Sequence, residues 1–131
     1  MTDKKRVEVA VGVIIRDEHV FLTKRAENVH QAGKWEFPGG KKETNETMEQ
    51  ALAREMREEV GILIFEATSI LTIAHDYPDK SVSLGVYTVD KFENEPESKE
   101  GLKSKWAAIA ELGKIDFPEA NKAIVKKLQE L

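Results

Sequence analysis

The sequence predicts an α/β fold, a central mixed β-sheet with helices on both sides. Two observations point there. Apolar runs rich in β-branched residues alternate with two segments of helical character, in the order β, β, helix, β, β, β, helix. No repeat, low-complexity tract or second set of elements breaks that order, so residues 1–131 read as one domain, long enough for a core without cross-links.

Val7 to Ile15 (VEVAVGVII) reads as a mostly buried strand. Asp17-Glu18 turns the chain into a second strand, Val20 to Arg25. Ala26 to Lys34 is a polar loop, followed by the short run Trp35-Glu36-Phe37 and the break Pro38-Gly39-Gly40. Thr47 and Gln50 have capping-box spacing, which places an N-cap at Thr47. Met48 to Val60 contains neither Pro nor Gly and includes good helix formers, and Gly61 suits the left-handed residue that ends a helix. Leu63 to Ala74 and Ser81 to Phe92 read as strands joined at Tyr77-Pro78-Asp79. Glu93 to Gly101 is a charged loop, Lys103 to Ile109 a last strand bearing Trp106, and Ala110–Leu112 a short helical turn. Pro118 fits the first turn of a C-terminal helix through Leu128, because proline lacks a donor that this position leaves unpaired anyway.

The chemistry concentrates between Gly40 and Ile62. Gly40 is followed after five residues by Glu46, and after seven more by Arg54-Glu55-Met56-Arg57-Glu58-Glu59-Val60-Gly61-Ile62. At ~100° per residue, Glu55, Glu58 and Glu59 fall within an arc of roughly 100°. Leu52, Ala53, Met56 and Val60 occupy the adjacent arc and should face the core. Three carboxylates therefore stand in a row at the rim of the domain. Glu55 and Glu59 form a like-charged i,i+4 pair, which costs an isolated helix a few tenths of a kcal/mol, on the order of 0.3. A divalent cation would turn that cost into ligation, and oxygen donors suit Mg²⁺, with Mn²⁺ able to substitute, rather than zinc. A solvated charged face is the usual fate of such a helix, but the upstream Gly39-Gly40 and Glu46 argue for a metal site.

Composition narrows the function further. The chain has no cysteine, which excludes disulfides, thiolate metal sites and cysteine nucleophiles and fits a reducing compartment. Its N-terminus is polar and no apolar run approaches the ~18 residues of a membrane span, so a cytoplasmic protein without a membrane partner is expected. A net charge of −4 speaks against long nucleic acid, while a metal and a lysine can still hold a small nucleotide. Without a basic stripe or a large exposed apolar segment, an RNA or protein interaction module is disfavoured, and a monomer is expected.

The Gly40–Ile62 pattern resembles the signature of the Nudix hydrolases at every specified position. Similarity continues almost end to end toward the MutT branch of that family, through Ala10-Val11-Gly12, Lys24-Arg25-Ala26, Trp35 to Lys41, Lys99-Glu100-Gly101, Trp106 and Phe117 to Asn121. This resemblance implies an αβα sandwich and hydrolysis of 8-oxo-dGTP to 8-oxo-dGMP and pyrophosphate by attack at the β-phosphorus, in sanitising the nucleotide pool. It implies metal ligation by the Gly39 carbonyl, Glu55, Glu58, Glu59 and Glu100. Glu55, Glu58 and Glu100 are then candidates for the proton acceptor, with Glu46 behind them and Arg54 orienting Glu55. It also places Arg25, His30, Glu36, Phe37, Pro38, Gly39, Lys41 and Asn121 around the nucleotide; read alone, His30 would be a surface histidine, Lys41 a surface lysine and Asn121 a helix surface residue. Lys80 departs from the branch, which carries arginine there, and a lysine cannot make the forked planar contact. Lys24 for arginine and Trp35 for an aliphatic residue are milder departures, and Trp35 also occurs in the CTP-hydrolysing branch. Alternatives are therefore a CTP, modified-dCTP or broad dNTP pyrophosphohydrolase, or a nucleotide-sensing domain, although such domains can lose box glutamates and all are present here.

Asn121 makes chemical sense in that role. Guanine presents acceptors at O6 and N7, whereas the 8-oxo form carries a hydrogen on N7. One carboxamide can donate to O6 and accept from that N7 hydrogen.

Overall fold

The computed structural model describes residues 5–26 and 32–131, so the expectation for His30 lies outside the described residues. Seven strands form one mixed sheet: β1 (Lys5–Arg16), β2 (His19–Lys24), β3 (Trp35–Glu36), β4 (Gly39–Lys41), β5 (Leu63–Asp76), β6 (Lys80–Glu93) and β7 (Ser104–Ala108). The helices are α1 (Met48–Val60) and α2 (Glu119–Glu130), with a 3₁₀ turn at Ile109–Lys114. Strand order is β3-β2-β1-β6-β5, with β4 pairing to β1 and β7 to β2. β1 and β6 run parallel, from Lys5↔Lys80 to Ile14↔Val89, and every other pairing is antiparallel.

Side-chain alternation sorts the core onto two faces. On one face Ala10, Ile14, Phe21 and Val89 pack with Leu52, Met56 and Val60 of α1. On the other, Val11, Val13, Val20, Leu22 and Val86 pack with Ile124, Val125 and Leu128 of α2. The sheet is therefore covered by one helix on each side, as expected. Gly12 sets the closeness of α1, since a Cβ there would lie 2.6 Å from Met56 Sδ. The capping box also forms: Thr47 Oγ1 accepts from Gln50 N, and Gln50 Oε1 accepts from Thr47 N. Gly61 closes α1 at φ 75°.

Three expectations are corrected. Ala53 is exposed, and Ala51 takes the buried place beside Leu52, Met56 and Val60 on the inward face of α1. Residues 39–40 do not break the chain path but begin β4, whose Gly39 and Gly40 pair with Val11 and Ala10. Glycine is needed at 39 because a Cβ would collide with the Ala10 carbonyl. Pro118 is the N-cap of α2, one residue outside its first turn. At the open edge of the sheet, β5 is 14 residues long and its pairing to β6 is interrupted by three register shifts.

Candidate active site

The site is built where β4, α1 and the loop after β6 meet. Arg54 is the hub of its first half. Its Nε and Nη2 grip both oxygens of Glu46 at 2.6 and 2.9 Å, and Nη2 also donates to the Lys41 carbonyl at 3.0 Å. Its Nη1 donates to Glu55 at 2.8 Å and to Glu58 at 3.3 Å. Glu46 Oε1 accepts a further bond from Glu43 N at 2.9 Å. Hydrogen bonding to Arg54, then to Glu43 N, pulls the Glu46 carboxyl down to about 2, and its carboxylate partners hold Arg54 firmly cationic. Gly40 leaves the space that the Glu55 carboxylate fills, since a Cβ there would overlap it. Glu58 is more than half exposed.

Glu59 anchors the second half. One of its oxygens accepts from Gly39 N at 3.2 Å, which ties the end of α1 to β4. Burial, and next the charge of Glu55, push its carboxyl up to about 8; the Gly39 N–H opposes this, and Glu100 and Glu36 add to the rise. Among the described residues no lysine or arginine pairs with Glu59. The loop after β6 is pinned over this carboxylate by Lys99 N to Glu59 O (2.8 Å), Glu97 N to Val60 O (3.1 Å) and Asn94 Nδ2 to Gly61 O (3.2 Å). Its base is held by Arg16, which grips Glu95 through two bonds of 2.7 and 2.8 Å. Glu59, Glu36 and Glu100 thereby line one small cleft, together with Thr23, Val60, Ser98 and Leu102.

A second cleft, about 220 Å³ in volume, adjoins it and is lined by Val9, Val11, Arg25, Glu36, Phe37, Gly39, Leu84, Asn121 and Ile124. Arg25 Nη1 donates to Glu36 Oε2 at 2.6 Å, with both side chains half-buried. Phe37 stacks on Phe117, ring centroids 5.5 Å apart and 4° from parallel, which fixes the approach to α2 and its first-turn Asn121. Glu36 lines both clefts and so joins them. A cavity of about 690 Å³ lies by Ile15, His19 and Leu128 and shares no residue with either cleft.

Of the residues singled out in the sequence, the structure groups Glu46, Arg54, Glu55 and Glu58 in one ion-pair network and Glu36, Glu59 and Glu100 around one cleft. Arg25, Glu36, Phe37, Gly39 and Asn121 line the other. Pro38 is buried, with its carbonyl accepting from Gly12 N at 2.9 Å, and lines neither cleft. Lys41 is exposed at the end of β4 and lines neither cleft. Lys80 opens β6 with its ammonium 5.5 Å from the Tyr77 ring centre. Among the described residues no three acidic or histidine side chains converge into a finished ligand cage. The donor set nevertheless fits a hard divalent cation. It is all oxygen, and a half-buried carboxyl lies among other carboxylates with no lysine or arginine among the described residues paired to it. Sequence reasoning does not find Thr23, Ser98 or Leu84, which line the clefts but belong to no motif.

Known proteins agree with this geometry. An 8-oxo-dGTP diphosphatase of Escherichia coli K12 is 40% identical over 128 residues, covering 97% of this chain and 99% of its own. An 8-oxo-dGTP diphosphatase of Proteus vulgaris is 48% identical over 103 residues, 77% of this chain and 91% of its own. A solved structure from work on MutT of Aliivibrio salmonicida and Vibrio cholerae superimposes with a TM-score of 0.85 at 36% identity, covering 95% of this chain and 97% of that one. The NUDIX domain family matches residues 10–127, and with the signature helix, the sandwich and both clefts in place, the chain belongs to the Nudix family.

Proposed function

We propose that this chain is a magnesium-dependent nucleoside triphosphate pyrophosphohydrolase that converts 8-oxo-dGTP to 8-oxo-dGMP and pyrophosphate. One observation carries the reading: a cleft containing Asn121, Phe37 and Arg25 opens, through the shared Glu36, onto a cleft walled by Glu59 and Glu100. A base held in the first would direct its phosphates toward the second.

The Gly39 carbonyl, Glu55, Glu58, Glu59 and Glu100 are the groups that would hold magnesium, with Mn²⁺ as a substitute. The ion supplies neutralisation of phosphate charge and makes water more acidic. The chain's own residues do the rest. Glu46 is spoken for at both oxygens and held near about 2, which makes it a poor proton acceptor; it fixes Arg54. Arg54 in turn holds Glu55 in place and reaches Glu58. Glu55, Glu58 and Glu100 are therefore the groups that can take the proton of the attacking water. Asn121 reads the 8-oxo base by donating to O6 and accepting from the N7 hydrogen. Among the described residues no helix is long and apolar enough to cross a membrane.

Cleavage of 8-oxo-dGTP, dGTP and CTP side by side, with and without Mg²⁺, tests the reading. 8-oxo-dGTP should be preferred and pyrophosphate, not orthophosphate, released. Faster turnover of CTP, or activity indifferent to chelation, would overturn it.

A further inference from the structure

Glu95 lines neither cleft, yet both of its carboxylate oxygens are occupied. Arg16, the last residue of β1, forks onto it at 2.7 and 2.8 Å, and Trp106 of β7 donates its indole N–H to Oε2 at 3.2 Å. The Arg16 guanidinium also lies over the Trp106 ring, 4.4 Å from its centre. That ring packs edge-on against the buried Phe21, with centroids 5.6 Å apart. A single exposed ion pair contributes little, because water competes for both partners. Here a planar fork and an indole donor grip one carboxylate together, and the ring beneath Arg16 holds the fork in place.

This clamp sits at the start of the loop that carries Glu100. Pro96 follows it and is buried, Glu97 N and Lys99 N bond to carbonyls at the end of α1, and Leu102 N closes on Ser98 Oγ at 3.0 Å. The loop is thus tied to two bodies: to α1 through its backbone, and to β1 and β7 through Glu95. Glu100 lines the same small cleft as Glu59 and Glu36. Carboxylates sharing so little space repel one another when charged, which pushes the loop away from α1, and the clamp opposes that push. We propose that Glu95 is a positioning residue that acts through Glu100, presetting that carboxylate against Glu59 before the divalent ion arrives; the inference rests on the reading above that Glu100 helps to hold the ion. Presetting removes an ordering cost from the binding step, so losing the clamp shows as weaker ion binding.

The test is a double-mutant cycle on the full chain, read by calorimetry without nucleotide and with Mn²⁺ alone as probe. Glu95→Ala should weaken Mn²⁺ binding about 10-fold, the usual effect of losing a group behind a metal ligand. In a Glu100→Ala background the same change should weaken it less than about twofold, because the carboxylate that the clamp positions is gone. Arg16→Met keeps an apolar chain over Trp106 but removes the fork, so it should reproduce the loss in the first background and its disappearance in the second. That variant decides alone if Glu95→Ala does not fold. Wild-type affinity in Glu95→Ala, or an equal loss in both backgrounds, would make the clamp a structural tie only and overturn the inference. A wild type that binds no Mn²⁺, or a Glu100→Ala variant that binds it as tightly as wild type, would instead bring down the placing of Glu100 on the ion, and this inference with it.

Discussion

Metal binding to the nucleotide-free protein should depend steeply on pH, through Glu59. Its carboxyl is pushed up to about 8 by burial, by Glu55 and, less, by Glu100 and Glu36. A cation must displace that proton to use both oxygens. With a value of about 8, roughly nine molecules in ten carry the proton at pH 7 and about 99 in 100 at pH 6. Apparent affinity should therefore rise about tenfold from pH 6 to 7, less steeply to pH 8, and level off above 9. The linked stability has a definite sign. A carboxyl raised above its unfolded value of 4.5 binds more protons folded than unfolded, so the metal-free protein loses stability as pH rises from about 4.5 to about 8. Glu46, lowered to about 2, works in the opposite sense: its stabilisation is present above 4.5 and is lost as pH falls toward about 2. Calorimetric Mn²⁺ titrations at pH 6, 7, 8 and 9, with metal-free melts alongside, read both effects. A flat affinity profile between pH 6 and 8, or an undiminished slope in Glu59→Gln, would refute the reasoning.

Three further outcomes are expected. Gly40→Ala should leave the melting temperature within a few degrees of wild type yet lower turnover severely, because the new Cβ claims the space of the Glu55 carboxylate; steady-state kinetics beside a thermal melt would expose the error if activity survived. Arg54→Lys keeps the charge but cannot fork between Glu46, Glu55 and the Lys41 carbonyl, so kcat should fall about 10- to 100-fold with smaller change in KM, and equal kcat would discount the network. Asn121→Ala should cut the preference for 8-oxo-dGTP over dGTP by about tenfold to a hundredfold, the worth of one mispaired buried polar group at about 1–3 kcal/mol; an unchanged ratio of kcat/KM values would remove Asn121 from base reading.

Local chemistry was largely legible in the sequence. The cap at Thr47, the ending at Gly61 and the inward seam of Leu52, Met56 and Val60 depend on neighbours three or four residues away, and all appear as expected. The ladder of β4 did not show, because two glycines carry no side-chain pattern and their pairing is dictated by β1, about thirty residues earlier. The gathering of Arg25, Glu36, Phe37 and Asn121 around one cleft could not be read from spacing either. It depends on the docking of α2, set by the Phe37–Phe117 stack, and only family resemblance pointed to it. Thr23 was invisible for the opposite reason: threonine is an ordinary strand former, and its burial beside carboxylates exists only in three dimensions.

The uneven spacing of β5 has a bearing on how this molecule behaves when crowded. A fourteen-residue border of unsatisfied amides and carbonyls invites neighbouring molecules to add on, the first step toward fibrils. Three slips in the ladder behind it tilt those groups out of step, so an arriving strand finds only short stretches it can zip against. Straightening that border, by deleting one of the extra residues, should trade a tolerant enzyme for a sticky one.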